Sequence, residues 1–245
     1  LTRVLGGKIL KLDGSSGILN PLEILRSGDD EGVCFTGHIS KVSTFYKFLV
    51  GGNVSTEEIV EFEEILGELY KKFGFDNDVK ETEKHFTGLP ATSYPTFSDF
   101  LEYLQDNIRE IQNKEYNRME EKVVGNTLLL RDRIRKVIKN IVNTYGNLFD
   151  GYTTIDNIAD EQIVTFDIST LKKLKPEVFD ANIINMISLC WDNCVTNGKL
   201  MLKMLNEGKI KIWDVIKTLV LIDESHEWLN AKKLQALELI STYLR

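Results

Sequence analysis

Two adjacent carboxylates near the end of the sequence, Asp223 and Glu224, have residue types and a spacing that could support catalysis. They follow four apolar residues, 219–222, which predict a strand that is buried on both faces in a parallel sheet. Neighbouring strand residues point in opposite directions, so the two acids would reach different targets at one sheet edge. In enzymes that cleave nucleoside triphosphates, one such acid holds Mg²⁺, usually through water, and the next activates the attacking water.

Other interpretations of this acidic pair remain open. An apolar strand often ends in an acid because the chain returns to solvent there. A small α/β enzyme could also use the pair with a different metal, but the sequence shows no histidine cluster or second acidic motif. No G-x-x-x-x-G-K-[ST] occurs in the 245 residues. The glycine-serine segment 13–17 lacks the Lys-Ser/Thr pair that follows a phosphate-binding loop, and it predicts a turn.

The elements that would position the acidic pair alternate between strand and helix. Residues 8–12 and 163–168 predict strands, and Pro176 begins a largely apolar helix that runs from about Glu177 to Asn206. The acidic strand and a final helix over about 227–244 follow. Strand, long crossover helix, strand and helix predict a parallel sheet, so the fold class is α/β.

The middle of the chain has a helical pattern from Ile39 to Phe149. Ser55 with Glu58 predicts a capping box before one helix, and Thr96 with Asp99 predicts a weaker one before another. A third helix is predicted around 130–146, and the glycine-rich segment 28–37 is predicted to be a loop. This region indicates a helical subdomain inserted into an α/β core.

The third helix of this region carries a cluster of basic residues that is predicted to lie on its exposed part. They are Arg131, Arg133, Arg135, Lys136 and Lys139. Such a strip could contact DNA or an acidic partner. Asp132 within the strip and the acidic chain favour a solvated helix face instead, and no aromatic residues are interleaved for base stacking.

Composition limits the classes of protein that the chain could be. Hydrophobic residues make up 42% and charged residues 27%, as in globular domains, and the formal net charge of -7 argues against a surface that coats nucleic acid. Three cysteines, Cys34, Cys190 and Cys194, predict reduced thiols and a cytoplasmic setting. No signal peptide or apolar run of membrane-spanning length is visible. Because the sequence begins at Leu1, we expect it to be part of a longer chain.

Several of these segments together resemble one known family, the large ATPase of type IV secretion and conjugative DNA-transfer systems. The matching segments occur in the family's order over most of the chain: 20–22, 148–153, 166–169 with Leu171, 179–181, 191–193 and 222–226. The resemblance implies a partial RecA-like P-loop NTPase fold, a parallel sheet with a large all-helical insertion. The core would comprise residues 1–36 and 156–245, and the inserted helical subdomain residues 37–155.

The resemblance also implies a function, site residues and partners. By the matching motif, Asp223 would organise Mg²⁺ through water, and Glu224 would be the catalytic base in a motor that uses ATP. Ser225 and His226 would either sense nucleotide or begin the next helix. The parent motor would be a hexamer at the cytoplasmic, inner face of the membrane, where it would work with other secretion components. Without the phosphate-binding loop, this chain alone is expected to hydrolyse negligible ATP. The alternative is a non-enzymatic helical module that docks other secretion-channel components.

Overall fold

A computed structural model describes residues 2–26, 30–52, 54–114, 120–155, 158 and 161–223. Its helices and strands follow one another as β1 (Lys8–Lys11), α1 (Glu31–Leu49), α2 (Thr56–Lys72), α3 (Phe97–Gln112), α4 (Glu120–Phe149), β2 (Val164–Asp167) and α5 (Pro176–Asn206). Short 3₁₀ turns lie between some of them. The chain divides into two compact units, Leu1–Ser188 and Leu189–Arg245.

The two strands of the first unit confirm two of the three predicted strands. β1 pairs with β2 in parallel, in a register that joins Lys8 to Val164 and Lys11 to Asp167. The carboxyl ends of both strands therefore meet at one edge. The four helices α1–α4 lie between these strands in sequence, so the chain is an α/β protein in which helix predominates.

The prediction of a buried strand at residues 219–222 is wrong for the structure as described. These residues have no regular secondary structure, and their exposed fractions range from 43% at Ile222 to 82% at Leu221. A strand of this composition needs paired neighbours and covered faces, because its backbone groups otherwise lack partners away from water. Within the described residues, the sheet consists of β1 and β2.

Helix α1 corrects the prediction of a loop over residues 28–37. It begins at Glu31, and its N-cap Asp30 accepts a hydrogen bond from the backbone N–H of Val33. The glycines suggested a loop, but Gly32 lies in the first helical turn, where an added Cβ would come within 2.8 Å of Nζ of Lys84. The free energy gained by burying side chains such as Phe35 exceeds the cost of placing glycine in a helix, which is about 1 kcal/mol per residue.

The capping box of α3 is complete and that of α2 is not, although the sequence predicted the weaker box at α3. Thr96 and Asp99 form the complete reciprocal capping box at the start of α3. The Ser55 side chain accepts from the N–H of Glu58 at the start of α2, as predicted. The Glu58 carboxylate, however, accepts a hydrogen bond from the hydroxyl of Tyr46 at 2.6 Å. Burial, and to a smaller extent the hydrogen bond to Glu58, raises the pKa of Tyr46 far above its ordinary value. This hydroxyl therefore remains protonated and donates the bond.

Aromatic side chains form the core between the four helices. Tyr46 of α1 stacks on Phe62 of α2 with ring centroids 4.3 Å apart, and Phe62 contacts Phe100 of α3 at 5.6 Å. Phe45 of α1 meets Phe149, the last residue of α4, edge to face at 5.1 Å. All five of these rings are at most 1% exposed, so each helix contributes directly to one core.

Helix α4 is longer than predicted and contains one break. It begins at Glu120, earlier than the predicted start, and Tyr145 has non-helical dihedral angles of φ -120 and ψ 20. The predicted end near Gly146 therefore coincides with this break. The prediction of the long helix α5 beginning at Pro176 is confirmed. Among the described residues, no helix is long and apolar enough to cross a membrane.

A buried hydrogen-bonded chain links α1, α2 and the loop after β1. The Tyr70 hydroxyl donates to the carbonyl of Leu22 at 2.7 Å, so it must accept the 2.5 Å bond from Nε2–H of His38. Nδ1 of His38 is then the unprotonated nitrogen, buried with no hydrogen-bond partner among the described residues. Burial, and next the charge of Lys41, lowers the pKa of His38 well below its usual value.

This neutral histidine makes stability depend on pH. The unfolded chain binds a proton below the ordinary value of 6.5 while the folded chain does not, so the free energy of unfolding falls as pH falls. Between pH 7.5 and 5.5 this contribution is about 1.4 kcal/mol. We expect His38→Gln to remove it, measured by urea unfolding at both pH values. The exposed His85, changed to Gln, is the matched control. Equal pH dependence in both variants would contradict the assignment.

Candidate functional site

The acidic pair predicted to carry catalysis lies at the limit of the described residues. Asp223 is exposed and follows the exposed segment 219–222. Glu224, Ser225, His226 and the predicted final helix lie outside the described residues. No group of three or more His, Cys, Asp and Glu within the described part of the chain could hold a metal. The roles of Asp223 and Glu224 therefore remain predictions.

Two other carboxylates, for which the sequence predicted no chemical role, lie at the carboxyl edge of the two strands. Asp13 follows β1 and accepts hydrogen bonds from the N–H of Ser15 at 3.0 Å, from the Ser15 hydroxyl at 2.5 Å and from the Thr170 hydroxyl at 3.0 Å. Asp167, the last residue of β2, accepts from the N–H of Ser169 at 3.0 Å. Hydrogen bonds, first from the side chain of Ser15 and from that of Ser169, lower the pKa of Asp13 and of Asp167.

This arrangement supports the prediction that residues 13–17 form a turn and do not bind phosphate. A phosphate-binding loop presents its backbone N–H groups to the anion. Here the Asp13 carboxylate already accepts the N–H of Ser15. Gly14, at φ +84, packs so closely that an added Cβ would lie 2.4 Å from the carbonyl oxygen of Asn147. The turn therefore packs directly against the end of α4.

Two of the motif segments that carried the family resemblance, 20–22 and 148–153, lie against each other in the structure. The carbonyl of Ile18 accepts hydrogen bonds from the N–H groups of Thr154, at 2.9 Å, and Ile155, at 3.3 Å. The N–H of Asn20 donates to the hydroxyl of Thr153 at 3.0 Å, and its side-chain amide donates to the carbonyl of Pro95 at 2.9 Å. The segments 20–22 and 148–153 thus serve as structural connections in the described part of the chain.

Two further contacts attach the same loop and α3 to this assembly. The side-chain amides of Asn182 and Asn185 of α5 donate to the carbonyls of Leu12 and Leu19 at 3.0 and 2.8 Å. Both asparagines are buried, and a buried amide without such a partner would cost free energy. Asp150 accepts from the N–H and hydroxyl of Ser98 at 2.8 and 2.6 Å, which satisfies one N–H group at the start of α3.

The predicted basic strip on α4 does not form as expected. Arg131 is 8% exposed, so the prediction that it lies on the exposed part of the helix is wrong. Its Nε donates to Oε1 of Glu61 at 2.5 Å, and a second guanidinium nitrogen donates to the side-chain oxygen of Asn107. Arg135 and Lys136 both form ion pairs with Asp132, at 2.5 and 2.7 Å.

The remaining basic residues of this strip are Arg133 and Lys139. Arg133 lies 3.9 Å from the carboxylate of Glu58, and Lys139 is exposed. The predicted DNA contact through Arg131, Arg135 and Lys139 therefore cannot include Arg131, because its charge is paired with Glu61 in the core. Helical periodicity alone could have predicted that Arg131 is buried, because it lies three residues before the core residue Ile134 and seven before Ile138 on the same face.

The three cysteines are reduced thiols in the structure. Cys34 is buried, and Cys190 and Cys194 lie one helical turn apart in α5 with intermediate exposure. Burial, with a smaller effect of Cys194, raises the pKa of Cys190 to about 12. This thiol is therefore protonated at neutral pH and is a poor nucleophile, because the thiolate is the reactive form.

The ion pair of Arg131 with Glu61 is predicted to stabilise the chain far more than that of Arg135 with Asp132. The first pair has side chains 10% and 12% exposed, against 27% and 37% for the second. Arg131→Met leaves Glu61 buried without its cation and should cost about 3–5 kcal/mol of unfolding free energy. The matched control Arg135→Met should cost less than about 1 kcal/mol. Urea unfolding measures both, and equal losses would show that Arg131 is not part of the core.

Comparisons with known proteins agree with the fold. No protein-family model matches the chain. An uncharacterized protein of Bacillus anthracis, pXO2-09, is 30% identical over 244 residues, and the match covers 93% of this chain. The chain spans 36% of the length of that relative.

A solved structure, that of VirB4 from Thermoanaerobacter pseudethanolicus, superimposes with a TM-score of 0.69 and 20% sequence identity. The superposition covers 98% of this chain and 54% of the VirB4 chain. The predicted resemblance is confirmed at the level of the fold, because the chain shares the architecture of VirB4 over 98% of its length.

Proposed function

We propose that the chain is part of a motor ATPase that hydrolyses ATP to power type IV secretion or conjugative transfer of DNA or protein. The observation that carries the proposal is the fold shared with VirB4 over 98% of the chain. The ordered motif segments support it, because two of them, 20–22 and 148–153, are joined by a hydrogen bond between Asn20 and Thr153. This chain would contribute part of a RecA-like core to the motor, residues 1–36 and 156–245, with an inserted helical subdomain, residues 37–155.

The acidic pair supplies the proposed chemistry. Asp223 offers a hard oxygen ligand, and its exposure would let Mg²⁺ keep most of its water shell, as that ion prefers. Glu224 would accept a proton from, and orient, the water that attacks the γ-phosphate. Bound Mg²⁺ would neutralise charge on the phosphates.

The residues of this sequence do not fit the phosphates of ATP. The 245 residues contain no Lys-Ser/Thr phosphate-binding loop, and in the glycine-serine turn at residues 13–17 the Asp13 carboxylate accepts the N–H and the hydroxyl of Ser15. Phosphate binding is therefore assigned to residues of the parent protein that this sequence does not contain. The proposed parent works as a homo-hexamer with other secretion components at the cytoplasmic face of the inner membrane.

The second candidate function is a non-enzymatic module that docks other secretion components. It is favoured by the helices α1–α4, which share an aromatic core of their own. ATP turnover by the whole protein distinguishes the two functions, because a docking module has none.

Glu224→Gln tests the motor proposal. In the whole protein we expect ATP turnover to fall by about 10²–10⁴-fold, because the base is lost, while ATP still binds. Phosphate release measures turnover, and a fluorescent ATP analogue measures binding. Glu207→Gln is the matched control, since it makes the same change at an exposed residue paired with Lys209.

The 245-residue chain alone should release no phosphate above background. Full turnover in the Glu224→Gln protein would exclude the assigned base. Turnover by the isolated chain that disappears on Glu224→Gln would show that phosphate binding needs no residues beyond this sequence.

A further inference from the structure

Two chain connections join the helices α1–α4 to the strand pair, one from β1 to α1 and the other from α4 to β2. They lie against each other in the structure. The N–H of Thr154 donates to the carbonyl of Ile18 at 2.9 Å, and the N–H of Ile18 donates to the hydroxyl of Thr154 at 2.9 Å. The N–H of Asn20 donates to the hydroxyl of Thr153 at 3.0 Å. The two connections are therefore hydrogen-bonded to each other along their length.

Glycines permit this close approach of the two connections. An added Cβ at Gly17, which has a φ of +116, would lie 2.8 Å from the backbone nitrogen of Ile155. An added Cβ at Gly151, which has a φ of +142, would lie 3.0 Å from Cδ1 of Ile18. Any other residue at Gly17 would push the connections apart, and its backbone would be strained at this φ.

Both connections also hold the same turn of the chain, the start of α3. From the first connection, the side-chain amide of Asn20 donates to the carbonyl of Pro95 at 2.9 Å. From the second, the Asp150 carboxylate accepts the N–H and the hydroxyl of Ser98 at 2.8 and 2.6 Å. Pro95 and Ser98 lie on either side of Thr96, the N-cap of α3. Two attachments from separate segments therefore restrict rotation of α3 about its start.

Aromatic packing holds α3 at the same end. Phe97, its first residue, stacks on Phe45 of α1 with ring centroids 5.9 Å apart. Phe45 also meets Phe149 edge to face at 5.1 Å, and Phe149 directly precedes Asp150. The polar attachments and the aromatic contacts thus act on the same turn of α3.

The contacts of Asn20 argue against a hinge at this joint. Hinge residues absorb changes of φ and ψ when two parts of a protein move relative to each other. Asn20 is 1% exposed, and its side-chain oxygen accepts the N–H of Leu22 at 3.0 Å while its amide donates to Pro95. A change of φ and ψ here would break these bonds and leave a buried amide without partners, which costs free energy.

We infer that residues 18–20, 95–98 and 150–154 form a rigid clasp through which the strand pair sets the direction of α3. The helix has 16 residues, from Phe97 to Gln112. At a rise of about 1.5 Å per residue it is about 24 Å long, so a rotation of about 10° at the clasp moves its far end by about 4 Å. Because coupling between two sites is reciprocal, whatever displaces the far end of α3 also acts on the strand pair. The clasp needs no nucleotide, so its failure would leave the motor proposal standing.

Distances between spin labels test the clasp on the 245-residue chain. The labels are attached at Lys11→Cys, at the end of β1, and Glu110→Cys, near the far end of α3, and both positions are exposed. The three native cysteines are replaced by Cys34→Ala, Cys190→Ser and Cys194→Ser. A reference pair, Glu57→Cys with Glu110→Cys, lies wholly within the helices α2 and α3. By double electron–electron resonance we expect the distance distribution of the Lys11 pair to be as narrow as that of the reference pair.

Variants then release the clasp. Asn20→Ala combined with Asp150→Ala removes one attachment of α3 from each connection. We expect this change to widen the distribution of the Lys11 pair at least about twofold, because α3 is then free to rotate at its start, and to leave the reference pair unchanged. Asn193→Ala is the matched control, since it removes an amide that donates to the carbonyl of Leu189 within α5. It should leave both distributions unchanged.

Circular dichroism and thermal unfolding establish that each labelled chain is folded. If the combined variant fails to fold, Asp150→Asn alone replaces it. If the chain without native cysteines fails to fold, hydrogen exchange of the Ser98 amide replaces the labels. This amide should exchange as slowly as the amides of α2 in the unaltered chain and faster, relative to α2, in the variant.

Three results would overturn the inference. A broader distribution for the Lys11 pair than for the reference pair in the chain with an intact clasp would show that the joint is a hinge. Equal widths with and without the clasp would show that its attachments do not direct α3. Equal broadening of both label pairs in the variant would show that the whole helical core had loosened. In the exchange experiment, a Ser98 amide that exchanges faster than α2 in the unaltered chain would do the same.

Discussion

The first unit depends on the backbone of a buried segment that is neither helix nor strand, the loop after β1. Leu19, Asn20 and Leu22 in this loop are buried, and buried peptide groups need hydrogen-bond partners. Those partners come from distant parts of the chain: the segment 153–155, the hydroxyl of Tyr70 in α2 and the amide of Asn185 in α5. The hydrogen bonds that this loop needs therefore fix the positions of α2 and α5 against it.

The sequence predicted those elements whose pattern is local. β1, β2, α3 and α5 were predicted because alternation, capping residues and Pro176 are read within a few residues of each element. The start of α1 was missed because Gly32 and Gly37 suggested a loop, whereas the packing of Phe35 against distant aromatic rings decides its conformation. The segment 219–222 was predicted as a strand from composition alone, but a strand also requires neighbours, which composition does not encode.

The candidate site was predictable only in part, for a related reason. Arg131 shares its sequence neighbourhood with Arg135 and Lys139 but differs in what lies opposite, Glu61 and Asn107 of other helices. The motif segments identified the fold, yet the structure gives residues 20–22 and 148–153 a connecting role and no reactive group facing a common site. Residues that are diagnostic of an enzyme's fold need not take part in its chemistry.

The parallel pairing of β1 with β2 has a consequence for the order in which the chain folds. The contact between Asn182 and Leu12, which anchors α5 beside this sheet, joins residues 170 positions apart. Closing so long a loop from an extended chain costs conformational entropy that grows with the logarithm of its length. If α1–α4 collapse first on their aromatic core, the loop that remains to be closed is effectively short. The folding route that loses the least conformational entropy therefore assembles the helices before the strands. On this route the strands pair only after the helical core has formed.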